Sequence, residues 1–260
     1  MHQEMPHETY DRLLAVEASA RDQFISEAHA EAPLADAASA LLLMVLLTVD
    51  ERSRDVTVDH RLNGLARAAL LEAQLFLGVR IFRTIRAARS VLAAGYEPEA
   101  RAHHRVLLEL VAHRNAICDD PTGRQAAAWL SGKKAQGVSA SVKAMTEPGL
   151  YSRLSHYSHG GPEPVLHLLD TEGQTLFLGP GHSIATRASL LLHAGIAREQ
   201  AMVISALDGT PLDSPDGFDQ QMHNARASLD TDTADLLARR TKDTDQHSQS
   251  ATYRQQRAAR

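Results

Sequence analysis

The stretch Glu97–Asp120, EPEARAHHRVLLELVAHRNAICDD, constrains the fold more than any other. It reads as one helix. Pro98 suits the first turn, where a missing N–H costs nothing, and Asp119-Asp120-Pro121 ends the run. On a 3.6-residue wheel Val106, Leu107, Leu110, Val111, Ile117 and Cys118 fill one apolar arc. The opposite arc carries Arg101, Arg105 and Glu109, with His113 at its edge and Ala102, Ala112 and Ala116 between them. Alanines let a second helix come close, which would cover Arg105 and Glu109 and demand that they be paired. The alternative is a solvated polar face.

The preceding segment supplies the second helix. Helical periodicity runs from about Val58 to Ala94, with Asn63-Gly64 a break and Gly95 a C-terminal cap. Leu71, Leu77, Ile81, Phe82, Ile85 and Leu92 share its expected buried arc. A turn at Gly95-Tyr96-Glu97 makes the two helices antiparallel. Counted outward from that turn, Glu109 lies level with Arg83, Arg86 is about a turn away, and Arg105 stands four residues before Glu109. An Arg-Glu network inside the hairpin, with Glu109 largely buried, is therefore predicted. Arg80 is predicted to face solvent, whereas Arg89 falls among Leu71, Phe82 and Ile85 and needs a carboxylate.

Composition narrows the class. Hydrophobic residues make up 43% of the 260, but aromatics only 4%, so the core must be built from Leu, Ala, Val and Ile, which favours packed helices. The net charge of −5 argues against a general nucleic-acid coat, yet it is uneven: −6 over residues 1–36, +5 over 61–105 and −5 over 208–245. Self-complementary packing accounts for this most simply, and an anion site comes second. The single Cys118 leaves no internal disulfide and suits a reducing cytoplasm. The acidic, polar N-terminal segment is unlike a secretory signal. The longest apolar run, Ala37–Val49, has 13 residues, short of the roughly 20 of a membrane span. It reads as a core helix, and no membrane is expected.

In chain order, residues 8–30 read as an amphipathic helix with Tyr10, Leu13, Leu14, Phe24 and Ile25 on its apolar side. A helix from about Asp36 to Asp50, apolar all round, belongs in the middle of a bundle, and residues 51–56 form a charged linker. A short helix runs from Asp120-Pro121 to about Ser131 and is closed by Gly132. Helices of about Ser139–Met145 and Gly149–Ser158 follow. Val165–Leu178 reads as a strand pair turning at Glu172-Gly173. Ser183 to Leu207 is a long helix packing Ile184, Leu190, Leu191, Ile196, Val203 and Ile204, and a weaker helix runs to about Arg240. The polar residues 241–260 are expected to be disordered. The expected organisation is one helical domain, 1–240, with 1–56 as a subregion.

The chemistry-bearing stretch is Leu150–Gly161, LYSRLSHYSHGG. Tyr151, Ser155 and His159 stand four apart on one helix face, with Ser152 and His156 beside them, next to a glycine pair that a ligand can approach. Ser155 has no G-x-S-x-G elbow, so a serine hydrolase is not indicated. No H-E-x-x-H or Cys pair supports a metal at His156, His159 and His167, and no phosphate loop occurs; neither metal nor cofactor is expected. Arg153 and His159 fit the R-x(4–6)-H spacing of the helical HEPN ribonucleases. With 23 arginines and 14 histidines, about four such matches arise by chance, and the chain has four: Arg54/His60, Arg153/His159, Arg187/His193 and Arg240/His247. Only the placement of Arg153/His159 at a helix end beside Gly160-Gly161 sets it apart, and Leu154 departs from the polar residue usual there.

The order Gly95…Glu99-Ala100…Arg105…Glu109, then Ala128-Trp129-Leu130…Gly132, then Tyr151…Leu154-Ser155…Ser158-His159 resembles an uncharacterised bacterial all-helical family, a domain of unknown function. The resemblance covers residues 83–205 and implies no activity. A weaker resemblance runs to HEPN domains.

The expected fold is thus an all-α bundle of about eight to ten helices with one small β-hairpin. Two functions are weighed. One is a non-catalytic binding scaffold that self-associates, as a homodimer, with Arg105, Glu109, Ser155 and His159 in a buried network and Tyr151, Ser155 and His156 available to a ligand. The other is a metal-independent ribonuclease acting on RNA or another anion. There His159 would be general acid or base, Arg153 or Arg105 would stabilise phosphate, and Glu109 would orient one of them. A shared site would need the Arg105/Glu109 pair within hydrogen-bonding range of Ser155 or His159.

Overall fold

The computed structural model of the chain describes residues 6–55, 64–138, 140, 142, 183–210, 212, 217–235 and 237–238. Among them the fold is all-helical, with no strand. The helices are α1 (Pro6–Glu27), α2 (Glu31–Asp55), α3 (Gly64–Ala93), α4 (Glu97–Cys118), α5 (Arg124–Leu130), α6 (Ser183–Asp208) and α7 (218–235). These seven are fewer than the eight to ten expected. The expected hairpin at 165–178, the helix at 149–158 and the tail at 241–260 lie outside the described residues.

The chain forms two compact units, Met1–Asp216 and Gly217–Arg260. In the second, Gly217 turns the chain at φ 73, and α7 places Phe218, Met222 and Ala225 on one face.

The α3–α4 hairpin forms as its sequence dictates. Gly95 adopts φ 89, and its N–H donates to the Leu92 carbonyl while that of Tyr96 donates to Val91. Left-handed backbone is what glycine tolerates without strain. Pro98 lies in the first turn of α4, with Glu97 and Glu99 beside it at the positive end of the helix dipole. The Tyr96 hydroxyl donates to Glu17 Oε1 at 2.8 Å and ties the turn to α1.

α3 packs mainly on α4, α2 mainly on α6, and α6 also crosses α3. Leu42, Leu77, Ile81, Leu107, Leu190 and Ile204 are fully buried where these helices meet. Each contributes about 1.5–3 kcal/mol of transfer free energy. Gly78 sits at the crossing: a Cβ there would stand 2.9 Å from both Ile204 Cδ1 and Leu46 Cδ2. At the other end of α3, Gly123 (φ 73) caps α5 and lies so close to Ala66 that a Cβ would meet its backbone at 2.9 Å.

Several local expectations need correction. α2 starts at Glu31, with Pro33 in its first turn, and continues to Asp55 through the expected linker. It is apolar all round, yet Leu43, Met44 and Leu47 are exposed, so it is not the centre of the bundle. On α1, Phe24 is buried but Leu13, Leu14 and Ile25 are exposed. Val106 belongs to the exposed side of α4, because its buried stripe, Ala100, His104, Leu107, Val111 and Arg114, is rotated toward two polar residues that the apolar wheel excluded; Cys118 continues that stripe and is exposed at its C-terminal end. By length and composition, Glu31–Arg52 and Ile184–Asp208 could each cross a membrane; 56% of each window is buried within the fold.

Candidate functional site

A seam of buried polar side chains runs between α2, α3, α4 and α6. At its middle, His104 of α4 and His193 of α6 bring their Nε2 atoms within 3.1 Å, with rings edge to face at 5.1 Å. One imidazole must donate and the other accept, so two neutral rings here take opposite tautomers. Burial is the main reason that both resist protonation. It holds His104 down to about 4, helped by Arg101 and His103, and His193 down to about 3, helped by His104, Arg89 and His103. His193 Nδ1 is buried and has no hydrogen-bond partner among the described residues.

Toward α1 the seam is ionic. Glu31, 1% exposed, receives the Arg187 Nε–H at 2.8 Å, while its second oxygen has no hydrogen-bond partner among the described residues. Arg89 donates to Asp36 at 2.5 Å and lies 5.8 Å over the Phe24 ring, so α1, α2 and α3 meet at one guanidinium. This is the carboxylate that the position of Arg89 requires. Arg80 is exposed, as expected.

In the other direction two fully buried amides interlock. Gln200 Nε2 donates to the Gln74 carbonyl (2.9 Å) and to Gln74 Oε1 (3.1 Å), and Gln74 Nε2 donates to Cys118 Sγ at 3.3 Å. Beside them Arg114, buried on α4, donates to Glu199 Oε2 at 2.7 Å. Beyond the seam, Arg67 Nε donates to the Leu207 carbonyl and Arg52 to Asp208, binding the helix ends.

The residues singled out by sequence fare unequally. Arg105 and Glu109 do pair, at 3.3 Å, but Glu109 is 39% exposed, so it is half open along α4 and not the largely buried carboxylate expected. Arg83 and Arg86 do not reach it. They lie level with Glu109, as counted, but on the wrong face: Arg83 comes two residues after the fully buried Ile81, hence about 200° around the helix. Arg86 turns to Asp36 at 3.9 Å instead. His113 sits against Trp129, ring centroids 6.4 Å apart. Burial lowers its pKa, partly opposed by Glu109. Tyr151, Arg153, Ser155, His156 and His159 lie outside the described residues.

The seam itself escapes a reading by sequence. Arg187 and His193 show there only as one of four chance R-x(4–6)-H matches, and both are engaged in the core, with Glu31 and His104. A signal does exist. His104, Arg114, Arg187, His193 and Gln200 fall on the apolar faces of their helices, and buried polar groups seek one another. No cluster of three or more metal-ligating side chains occurs among the described residues.

A second feature is apolar and open. α2 and α3 diverge to leave a groove of about 750 Å³, floored by Leu46 and Leu71 and walled by Leu43, Leu47, Phe76 and Val79. Leu71 and Phe82, expected in the core, line this groove half-buried. Asp50 and Glu72 stand at one end and Arg83 at the other.

No family model, curated protein or solved structure matches this chain.

Proposed function

We propose that the chain is a non-catalytic helical binding protein that self-associates, and that the buried His, Arg, Glu and Gln side chains hold its bundle in register. The observation that supports this reading is the α2–α3 groove. Leu43, Leu47, Phe76 and Val79 line it and are 38–56% exposed, and Met44, also exposed, neighbours them on α2. A monomer gains nothing by wetting such a patch, and surfaces of this kind serve association. The seam, by contrast, offers no open approach to its histidines.

In this reading α2 and α6 are core helices of a cytoplasmic, water-soluble bundle. Glu31 and Arg187, which face each other across them, are a buried ion pair that lipid would not favour. The ribonuclease alternative rests on His159 and Arg153, with only the Arg105/Glu109 pair among the described residues. RNA cleavage by the purified chain, abolished by His159→Ala, would revive it.

The test of the binding reading is uptake of an anilinonaphthalene sulfonate dye by dilute, native protein. Fluorescence should rise on mixing, and the Leu47→Gln/Phe76→Gln variant should lose most of the rise while melting as wild type does, since both side chains are exposed. Absence of uptake by wild type, or equal uptake by the variant, overturns the reading.

A further inference from the structure

We infer that the groove's occupant is a second copy of this chain, docked antiparallel through α3 about a two-fold axis. This rests on the binding reading above and names its partner.

Glu72, Phe76, Val79 and Arg83 all line the groove, all are exposed, and they lie on one face of α3 at spacings of four, three and four residues. That spacing reads the same in both directions. When two such helices pack antiparallel about a two-fold axis, Glu72 meets Arg83 of the partner subunit and Phe76 meets Val79 of the partner subunit. Each contact occurs twice. The stripe is therefore self-complementary in shape and in charge: acid at its N-terminal end, apolar in the middle, base at its C-terminal end.

Two further observations favour a copy of the chain over another occupant. Neither Glu72 nor Arg83 has an ion-pair partner among the described residues, whereas Arg86 and Arg89 on the same helix do. Of the α3 charges without an ion-pair partner among the described residues, Glu72 and Arg83 are the two that line the groove, and the two-fold axis brings them together. On α2, which runs antiparallel beside α3, Leu43, Met44 and Leu47 extend the apolar strip, and Asp50 joins Glu72 at the acidic end. The groove is thus polarised along its length, and a copy of the same stripe laid antiparallel, acid end against basic end, fits it. From Ala68 to Arg83 it spans about four turns of helix, roughly 22 Å. That places it at the small end of specific interfaces, so the dimer should dissociate on dilution.

The experiment is a charge exchange read by sedimentation velocity over a concentration series. Wild type should pass reversibly from monomer to dimer. Glu72→Arg and Arg83→Glu each place like charges opposite one another twice per dimer. Each should raise the dissociation constant about tenfold or more. An equimolar mixture of the two variants should associate again. In the mixed dimer the arginine introduced in one subunit faces the glutamate introduced in the other, and the retained Arg83 of the first faces the retained Glu72 of the second. Circular dichroism melts equal to wild type confirm that both variants fold. A wild type that stays monomeric, variants that dimerise as wild type does, or a mixture no tighter than its components overturns the inference. If dilute protein still takes up the dye while no dimer forms, the binding part of the reading stands, its self-association falls, and the groove belongs to another occupant. Failure of both removes both.

Discussion

Acidification should unfold this protein through two histidines. His104 and His193 are neutral in the native bundle, held down to about 4 and about 3, and the charges that bear on them, Arg101, His103 and Arg89, are all cationic or become so. Among the described residues, no carboxylate offsets the protonation of either one inside the seam. In the unfolded chain both titrate near 6.5. The native state therefore binds fewer protons than the unfolded state between about pH 6.5 and about pH 4. Stability is complete above that window and falls as pH drops through it. Each pH unit below 6.5 costs about 1.4 kcal/mol per histidine. Moving from pH 7 to pH 5 should thus remove about 2 kcal/mol for each, about 4 kcal/mol in all. That is a large share of the roughly 5–15 kcal/mol that holds a domain together. The assay is urea denaturation at both pH values for wild type and for His193→Gln, in which a neutral amide keeps a donor and an acceptor near His104 but cannot titrate. The variant should lose about half the pH dependence whatever its stability at pH 7. His113, also lowered by burial, adds a smaller loss of the same sign. A wild-type loss under about 1 kcal/mol over this range, or an undiminished loss in His193→Gln, would refute the argument.

The other expectations concern single contacts. Glu31→Gln should destabilise the fold by about 3–5 kcal/mol in chemical denaturation, because it removes the charge of a carboxylate buried against Arg187. Glu109→Gln should cost less than about 1 kcal/mol, since its i,i+4 pair with Arg105 is half open; a larger loss would mean that Glu109 has a buried role. Gly123→Ala should lower stability by about 1–3 kcal/mol, combining a left-handed backbone with a Cβ driven against Ala66, and an unchanged melting temperature would contradict that packing. Gly78→Val should cost a similar amount by wedging Ile204 and Leu46 apart, whereas a neutral result would mean that the three-helix crossing is loose.

Helix class and most helix ends are written locally. Gly95, Pro98 and Asp119-Asp120-Pro121 bound α4 by conformational limits that need no tertiary partner, and Ser183 opens α6 where its periodicity begins. The need of Arg89 for a carboxylate is also legible, because a long cationic side chain on an apolar arc admits few solutions. Which carboxylate answers it is not: Asp36 lies 53 residues away, and only the docking of α2 on α3 brings it there. The same holds for the site. Level along a hairpin follows from counting, which sets Glu109 beside Arg83, but rotation about each helix axis is decided by what all the neighbours bury together. That rotation turns Arg83 into the groove, leaves Glu109 half open and draws His104 inward to His193. Sequence periodicity fixes where apolar residues recur. Only the packed bundle decides which of its polar residues are enclosed with them and which apolar face is left without a neighbour.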